Sequence, residues 1–242
     1  MSNLGDFYKK TYNLICGEHP YLKPWHFQWL GGKDLYADLQ RFLPTLAGRV
    51  LDVGCGNKPY AVWLNSAKVE HIGIDVYPGS QVDIVVKPGE SWPLETSSFD
   101  AVLCTQVLEH VANLNEALSE IHRVLKPNGI LVVTIPFIYN QHGEPDDYRR
   151  FSLYGIRQLF EKDYKIIESK FQGGVGSAIG VLFLNWLEMN MNLYQFTRIL
   201  KALLLPVWIV LCLLINIIGL FWDFIDQTNS FYGNTFLVVT KR

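Results

Sequence analysis

The stretch Arg49-Val-Leu-Asp-Val-Gly-Cys-Gly56 decides which fold this chain is expected to adopt. Its aliphatic residues predict a short strand that is buried on both faces, as strands of parallel sheets are. Gly54 and Gly56 then predict a sharp turn without Cβ atoms, which lets a ligand approach the backbone closely. Asp52 lies near the carboxyl end of the strand, where open α/β sheets bind their ligands. The stretch therefore predicts a nucleotide-binding turn.

Strand and helix patterns alternate after this turn. Helix candidates lie between the first two and between the last two of five predicted strands in residues 49–135. The second helix begins after Asn113, an N-cap residue, with Glu116 in capping-box position. Such alternation indicates a parallel sheet with right-handed crossovers. The predicted strands are residues 49–53, 70–75, 82–86, 99–104 and 129–135, then 164–171 and 234–240, and further helices are predicted at 3–16, 33–43 and 152–161.

Composition argues against several functional classes. The 242 residues carry a formal net charge of −2, and the isoelectric point is near 6.3, which argues against a nucleic-acid surface held by bulk electrostatics. The four cysteines are scattered, without a C-x-x-C pair or a Cys/His cluster. This predicts a reduced cytosolic location, no disulfide framework and no metal site. The N-terminus has an early acidic residue and no apolar core, which argues against a signal peptide.

A dinucleotide fingerprint is one alternative for the turn. That fingerprint requires a third glycine, which allows close packing of the following helix on the strand. This chain has Pro59 at that place, which weakens the case for NAD. Asp75, at the end of the next predicted strand, could accept hydrogen bonds from the ribose hydroxyls of any adenosine ligand. The turn alone therefore leaves the nucleotide open.

Four stretches together resemble the class I S-adenosylmethionine-dependent methyltransferases, most of all the group that includes quinone and lipid methyltransferases. They are VLDVGCG (50–56), GIDV (73–76), WPLETSSFDAVLCTQVLEHV (92–111) and RVLKPNGILVVTIP (123–136), in the order and spacing of that family. The resemblance covers roughly residues 45–170, and the final TFLVVTKR is similar to the family's last strand. It implies an α/β fold with a Rossmann-like, seven-stranded, mostly parallel sheet and an antiparallel last strand. A C-terminal apolar helical insert would extend this fold.

The resemblance also implies which residues bind S-adenosylmethionine. The glycine turn would hold the methionine end of the cofactor, and an acidic residue would bind its ribose hydroxyls. Further residues would lie along the adenine ring and along the methionine portion. The methionine end would be held by Asp52 (through water on the ammonium group), Gly54 and Gly56, and the ribose by Asp75. The residues along the adenine would be Val76, Glu90, Ser91 and Trp92, and those along the methionine portion Thr105 and Gln106.

The acceptor side is predicted from polar residues after the fourth and fifth strands. A general base would assist methylation of an oxygen atom, and His110 and His142 are the candidates for it. For His110 the alternative is a helix-start residue that bonds to its neighbours. The charged loop 144–150 is either a salt-bridged surface loop or a wall of the acceptor pocket. The candidates are thus His142, His110 and Asp147 for catalysis, and Tyr148 and Arg149 for acceptor binding.

Residues 202–222 form an uncharged apolar run, and a run of about 20 residues is long enough to span a bilayer. If the last strand completes the same sheet, a single crossing would leave that strand on the wrong side of the membrane. Pro206, Asn216 and Gly219 would suit a bent or re-entrant helix. The sequence therefore predicts a monotopic, membrane-associating insert. The alternatives are a buried helical layer or dimer interface, and a true spanning helix.

These observations predict four segments and one activity. The segments are an N-terminal helical cap (1–46), a cofactor-binding core (47–172), the apolar insert (173–233) and the last strand (234–242). The activity is methyl transfer from S-adenosylmethionine to a small-molecule or lipid-linked acceptor, by O- or C-methylation, at the cytoplasmic face of a membrane. A homodimer through the insert is one alternative for the oligomeric state. The alternatives for function are an NAD-dependent Rossmann oxidoreductase or epimerase and a non-catalytic, methyltransferase-like membrane scaffold.

Overall fold

The computed structural model of the chain describes residues 2–242 and, of their side chains, those from residue 5 onward. Its seven-stranded sheet has the strand order β3-β2-β1-β4-β5-β7-β6. The strands are β1 (Gly48–Val53), β2 (Val69–Asp75), β3 (Ile84–Val85), β4 (Phe99–Thr105), β5 (Leu125–Pro136), β6 (Tyr164–Gln172) and β7 (Asn234–Lys241). The helices are α1 (Ser2–Cys16), α2 (Trp29–Phe42), α3 (Leu114–Val124), α4 (Leu153–Phe160), α5 (Val175–Leu193), α6 (Gln195–Leu203) and α7 (Leu205–Ile225).

The sheet has the predicted mixture of strand directions. Strands β1 to β5 pair in parallel, whereas β7 pairs antiparallel with both β5 and β6. At one edge of the sheet Pro136 of β5 is paired with Asn234, and Asn234 with Gln172 of β6. The carboxyl ends of the parallel strands lie at this same edge, where open α/β sheets bind ligands. The predicted Rossmann-like fold is confirmed.

The helix that follows β4 forms as predicted. The side chain of Asn113 accepts a hydrogen bond from the Glu116 N–H, and the Asn113 amide donates to the Glu116 carboxylate at 2.8 Å. Leu114, Leu118 and Ile121 then pack against the apolar core of the sheet. The N-cap fixes where the helix begins, and the apolar spacing fixes which face it buries.

Other predicted elements differ in extent. The helix predicted between β1 and β2 is only a 3-10 helix, Pro59–Trp63, because the backbone becomes extended again at Leu64, with a ψ of 141°. Strand β5 begins at Leu125, four residues before the predicted start at residue 129, and Asn128 inside it has a φ of 62°. Strand β3 is shorter than predicted, and α2 begins before residue 33. Local turn residues thus decide these boundaries.

The chain forms two compact units. The sheet unit comprises residues 37–137, 141–172 and 234–242, and the helical unit comprises residues 1–36, 138–140 and 173–233. The core of the sheet unit is built from strand residues and from one face of α3 and α4. The helical unit has its own core, which contains Tyr12, Leu184, Trp208 and Cys212. The four segments predicted from the sequence divide the chain at residues 46, 172 and 233, whereas its compact units divide near residue 36 at the N-terminal side.

Helix α7 is continuous from Leu205 to Ile225, so Asn216 and Gly219 do not interrupt it. The apolar run is interrupted at Leu204 instead, and Pro206 lies in the first turn of α7, where proline is tolerated. The Asn216 amide donates to the carbonyl oxygens of Pro24, at 2.7 Å, and His26, at 3.1 Å. Gly219 has no room for a side chain, since a Cβ there would lie 2.7 Å from the Leu30 Cδ1. Both residues therefore dock the helix within its unit.

Candidate functional site

The glycine turn after β1 has the conformation that its sequence predicts. Gly54 and Gly56 have φ values of 65° and 50°, in the left-handed region that favours glycine. A Cβ on Gly54 would lie 2.5 Å from the Val107 Cγ2, whereas a Cβ on Gly56 would meet no atom within 4 Å. Gly54 thus allows close packing against the end of β4, and Gly56 leaves open space beside the backbone.

Asp75 holds this turn. The Gly56 N–H donates to Asp75 Oδ2 at 3.0 Å, and the Tyr77 N–H donates to Oδ1 at 3.0 Å. The contact exists because β1 and β2 are neighbours and end at the same edge. A carboxylate has about four lone-pair directions, so two remain after these bonds. The same carboxylate can therefore also accept two ribose hydroxyls.

Asp52 is buried, with 2% of its surface exposed, and its Oδ2 lies 3.2 Å from His71 Nε2. Burial raises the pKa of the Asp52 carboxyl, and its hydrogen bond with His71 opposes this shift. Sequence patterns did not predict the contact between His71 and Asp52. The contact follows from the register of the parallel strands β1 and β2. His71 is paired with Val50 and Asp52 with Gly73, so the two side chains are diagonal neighbours.

A second ion pair fixes the loop after the turn. Lys58 Nζ lies 2.5 Å from Asp83 Oδ2, and the same oxygen accepts from the Gly73 N–H at 2.7 Å. Burial works against the charge of Asp83, but Lys58 and the Gly73 N–H hold the pKa of Asp83 below its usual value. Sequence reasoning assigned no role to Lys58 or Asp83. They connect the turn after β1 to the segment before β3.

The residues predicted beside the adenine fall into two groups. Val76 follows Asp75 directly and is exposed, and Glu90 and Ser91 are exposed as well. Trp92 instead packs against the apolar core of the sheet unit. Its N–H donates to the Glu120 carboxylate at 2.7 Å. The hydrogen bond therefore ties the Trp92 backbone to α3. Of the two apolar residues, the exposed Val76 is the better placed to contact the adenine ring.

Gln106 closes the end of β4 in an unusual backbone conformation, with a φ of 57°. Its N–H donates to the Thr134 carbonyl at 2.9 Å, and its side-chain amide donates to Thr134 Oγ1 at 3.1 Å and to Asn234 Oδ1 at 3.0 Å. Asn234 in turn donates to Gln172 at 3.1 Å, and Gln172 donates to Asp38 at 2.6 Å. A buried polar chain thus runs along this edge of the sheet. Thr105, the last residue of β4, precedes it.

The candidate bases come together in space. The rings of His110 and His142 meet edge to face, with their centroids 4.7 Å apart. His110 Nδ1 lies 2.5 Å from the Asp146 carbonyl oxygen, which can only accept. In the neutral ring Nδ1 therefore carries the proton, and the lone pair is on Nε2. Glu109, to which sequence reasoning assigned no role, is fully buried beside them, and burial raises its pKa to about 8.

The loop 144–150 is held together by its own charges. Arg150 binds the Asp147 carboxylate through two nitrogens, at 2.5 and 2.8 Å, and the His142 N–H donates to the same carboxylate at 2.9 Å. The guanidinium keeps the pKa of Asp147 far below its usual value. Arg149 donates to the carbonyl oxygens of Val111 and Ala112. Asp147 thus stays ionised and orients His142, and Arg149 anchors the loop.

Tyr148 is an exposed aromatic residue of this loop. Its hydroxyl donates to the Asp146 carboxylate at 2.7 Å, and its N–H donates to the Glu109 carbonyl at 2.9 Å. These bonds fix the backbone of the loop beside Glu109 and leave much of the ring on the surface.

Known proteins match this part of the chain. The family model described as "Methyltransferase domain" matches residues 51–133. An uncharacterized protein of Methanocaldococcus jannaschii is 26% identical over 159 residues, which cover 64% of this chain and 59% of that protein. The ubiquinone/menaquinone biosynthesis C-methyltransferase of a Geobacter species is 32% identical over 105 residues, 36% of this chain and 45% of that enzyme. The chain thus spans about half the length of the curated relatives it matches.

A solved structure supports the fold. The phosphoethanolamine N-methyltransferase 2 of Haemonchus contortus, in complex with S-adenosylmethionine, aligns with a TM-score of 0.51 at 16% identity. The alignment covers 97% of this chain and 60% of that enzyme. The residues of this chain also suit the cofactor, because the turn leaves space at Gly56 and Asp75 has free acceptor capacity. The sheet order, the glycine turn and the family match together place this chain among the class I S-adenosylmethionine-dependent methyltransferases.

Proposed function

We propose that this protein transfers a methyl group from S-adenosylmethionine to an oxygen or carbon atom of a small-molecule or lipid-linked acceptor at the cytoplasmic face of a membrane. The observation that carries the proposal is the Asp75 carboxylate, which closes the glycine turn and keeps acceptor capacity for a ribose. The similar Geobacter enzyme is named for C-methylation in quinone biosynthesis, which supports an acceptor of this class.

Methyl transfer requires mainly alignment and the exclusion of water. S-adenosylmethionine supplies a methyl group that is already activated on sulfur. The chain would hold the cofactor at the glycine turn and Asp75, and orient the acceptor near the loops after β4 and β5. For an oxygen acceptor, the Nε2 lone pair of His110 is available to take the proton.

Helix α7 supports the membrane part of the proposal. Among the described residues it is the helix long and apolar enough to cross a membrane, with a mean hydropathy of 2.4. One face, spaced as a helix requires, is buried within its unit: Trp208, Cys212, Asn216 and Gly219. The opposite face exposes large apolar side chains that include Val210, Leu214, Ile217, Phe221 and Phe224. A patch of this kind typically marks a protein–protein or membrane interaction site.

Helix α5 extends this apolar surface. Ile179 and Phe183 of α5 and Ile218 and Trp222 of α7 line one groove of about 370 Å³, which is almost entirely apolar. Such a groove suits an acyl or prenyl chain better than a polar metabolite. Because α7 is buried on one side and both ends of the insert connect to strands of one sheet, we favour a helix that lies on the membrane over one that crosses it.

Cofactor identity is tested by titration calorimetry of the full chain in mild detergent, with S-adenosylhomocysteine and with NADH. The proposal expects micromolar binding of S-adenosylhomocysteine and none of NADH. Binding of NADH alone would favour an oxidoreductase. Silence with both ligands would favour a non-catalytic scaffold.

Membrane association is tested by flotation with vesicles of phosphatidylethanolamine and phosphatidylglycerol. The triple variant Val210→Gln, Leu214→Gln and Phe221→Gln should lose flotation, because it removes exposed apolar side chains from α7. The matched control replaces three exposed apolar residues of the sheet unit, Val62, Tyr154 and Ile167, with glutamine and should float as the wild type does. Wild-type protein that stays with the aqueous fraction, as a monodisperse dimer, would assign the surface to self-association instead.

A further inference from the structure

Three potential metal ligands meet beside the acceptor loops. Glu109, His110 and His142 each offer one ligand atom, and these atoms lie within 4.8 Å of one another. Glu109 and His110 belong to the 3-10 helix Leu108–His110 after β4, and His142 belongs to the loop after β5. Cysteine and histidine spacing did not indicate this cluster, because His142 is distant in sequence from Glu109 and His110 and meets them only in the folded chain.

Glu109 is the unusual member. Its side chain has no exposed surface, and neither carboxylate oxygen has a hydrogen-bond partner. The nearest recorded cationic or basic atom is His110 Nε2, at 3.8 Å from Glu109 Oε1. A buried carboxylate without a partner is costly unless a proton or a cation compensates it. The unpaired oxygens are therefore compensated either by a bound proton or by a cation beside them.

His110 has the arrangement of a metal ligand. Its Nδ1 donates to the Asp146 carbonyl, so the Nε2 lone pair is directed to the side of Glu109. Metal-binding histidines commonly fix their second ring nitrogen in this way. The loop also closes tightly on the ring, since a Cβ on Gly143 would lie 2.9 Å from the His110 Cε1. The ring is thus held in place before any ion arrives.

The charges around the cluster permit a cation. Arg150 acts on Glu109 electrostatically, but its guanidinium is bound by both oxygens of Asp147. Asp147 lies 3.5 Å from His142 Nδ1 and Arg150 Nη2 lies 3.4 Å from the same atom, so this ion pair leaves little net charge beside the site. Zinc lies about 2.1 Å from each ligand, so its ligand atoms are roughly 3.5 Å apart. The cluster would have to contract by about 1 Å, within the range of small side-chain rotations.

We propose that Glu109, His110 and His142 bind a divalent transition-metal ion of the zinc class. Two imidazoles and one carboxylate suit zinc, iron(II) or manganese(II) better than magnesium or calcium, which prefer oxygen ligands. Three protein ligands leave at least one position open, which an oxygen of the acceptor could take. With the ion bound, the ion in place of the His110 lone pair would promote loss of the acceptor's proton. The binding itself does not depend on the proposed methyl transfer, whereas this use of the open position does.

The test uses the full chain without a histidine tag, stripped of metal with a chelator and exchanged into chelator-free buffer with mild detergent. Calorimetric titration with zinc chloride should show one site per chain, and with magnesium chloride no binding. Glu109→Gln and His142→Asn should each weaken zinc binding by roughly 100-fold or more. The control is His122→Gln, on α3 of the same unit, whose zinc affinity should equal that of the wild type.

Several outcomes would overturn the proposal. These are no zinc binding by the wild type, equal losses in His122→Gln and His142→Asn, or a Glu109→Gln variant that binds as the wild type does. Binding of S-adenosylhomocysteine by each variant is the check on folding, and it separates failure of the metal site from failure of the cofactor site. If Glu109→Gln does not fold, His142→Asn decides alone, since His142 is partly exposed.

Discussion

The main-chain N–H of Gly56 donates to the carboxylate of Asp75 across 3.0 Å, so the residue predicted to bind the ribose also holds the glycine turn. The other oxygen of Asp75 accepts from the Tyr77 N–H. Cofactor binding and the shape of the turn are therefore coupled through one side chain. A substitution at Asp75 should affect both, and this coupling can be measured.

Asp75→Asn should weaken binding of S-adenosylhomocysteine by roughly 10- to 100-fold. An asparagine amide can accept through one atom only, so one of the two N–H groups would face another donor. Hydrogen bonds to charged groups contribute about 1.5–3 kcal/mol each, and about 1.4 kcal/mol is a factor of ten in affinity. Titration calorimetry measures the change.

The control for Asp75 lies on the same strand. Glu70→Gln removes a carboxylate at the other end of β2, where Glu70 is exposed and paired with Arg49 at 3.2 Å. This variant should bind S-adenosylhomocysteine as the wild type does. Equal affinities of the Asp75→Asn variant and the wild type would show that Asp75 does not contact the cofactor.

Gly54→Ala should destabilise the sheet unit and weaken cofactor binding. The new Cβ would combine a φ of 65° with a distance of 2.5 Å to the Val107 side chain. The left-handed φ alone costs about 1–2 kcal/mol, and the close contact adds to that cost. Thermal unfolding should therefore show a lower midpoint than in the wild type.

Two further variants separate these two causes. Gly89 has a φ of 84°, and a Cβ there would meet no atom within 4 Å. Gly89→Ala should therefore lower the free energy of unfolding only by the cost of the left-handed backbone. In the Gly54→Ala background, Val107→Ala should recover the steric part. If Gly54→Ala is no more harmful than Gly89→Ala, then the close approach to Val107 is unimportant.

Much of the fold could be predicted because it depends on local patterns. Buried apolar runs gave the strands, and Asn113 with Glu116 gave the start of α3 correctly. The helix predicted between β1 and β2 is only a short 3-10 helix, because the backbone becomes extended again at Leu64. Such a backbone choice at a single non-glycine residue leaves no periodic signal.

The candidate site was predicted only where the residues belong to one local motif. Gly54 and Gly56 could be recognised because their turn is short and contiguous. The contact between His71 and Asp52 depends on the register of two strands. The loop after β5 reaches Glu109 through the Tyr148 N–H, which donates to the Glu109 carbonyl. Sequence distance hides both relationships, since the residues meet only after the sheet has formed.

His26 should make the protein less stable in mild acid. Burial lowers its pKa from the usual 6.5 to about 4, so the unfolded chain takes up a proton that the folded chain rejects. The free energy of unfolding is therefore highest above pH 6.5, where His26 is neutral in both states, and it falls as the pH is lowered towards 4. Between pH 7.5 and pH 4.5 the loss should be about 2–3 kcal/mol.

His26→Asn tests this dependence by unfolding in urea at both pH values. The asparagine oxygen can replace His26 Nδ1 as acceptor of the Gln28 N–H, which is 3.0 Å away. The variant should be less stable at pH 7.5, because it loses ring contacts with Tyr12 and Phe27. The difference from the wild type should shrink at pH 4.5. Parallel pH profiles would mean that His26 is protonated without cost in the folded chain.

Lys201→Met should destabilise the helical unit by about 3–5 kcal/mol, which is typical when one partner of a buried ion pair is removed. Lys201 is 3% exposed, and its Nζ lies 2.7 Å from Glu188 Oε1 and 2.8 Å from Asn192 Oδ1. Removal of the ammonium group leaves the Glu188 carboxylate without its cation, although the Asn192 amide still donates to Oε1 at 3.0 Å. The double variant Lys201→Met and Glu188→Leu removes both charges and should recover most of the loss, because apolar residues can replace a buried ion pair at little cost.

Thermal unfolding of the wild type, the two single variants and the double variant in one detergent gives the coupling energy. A double variant as unstable as the sum of the single variants would show that the two charges do not act as a pair.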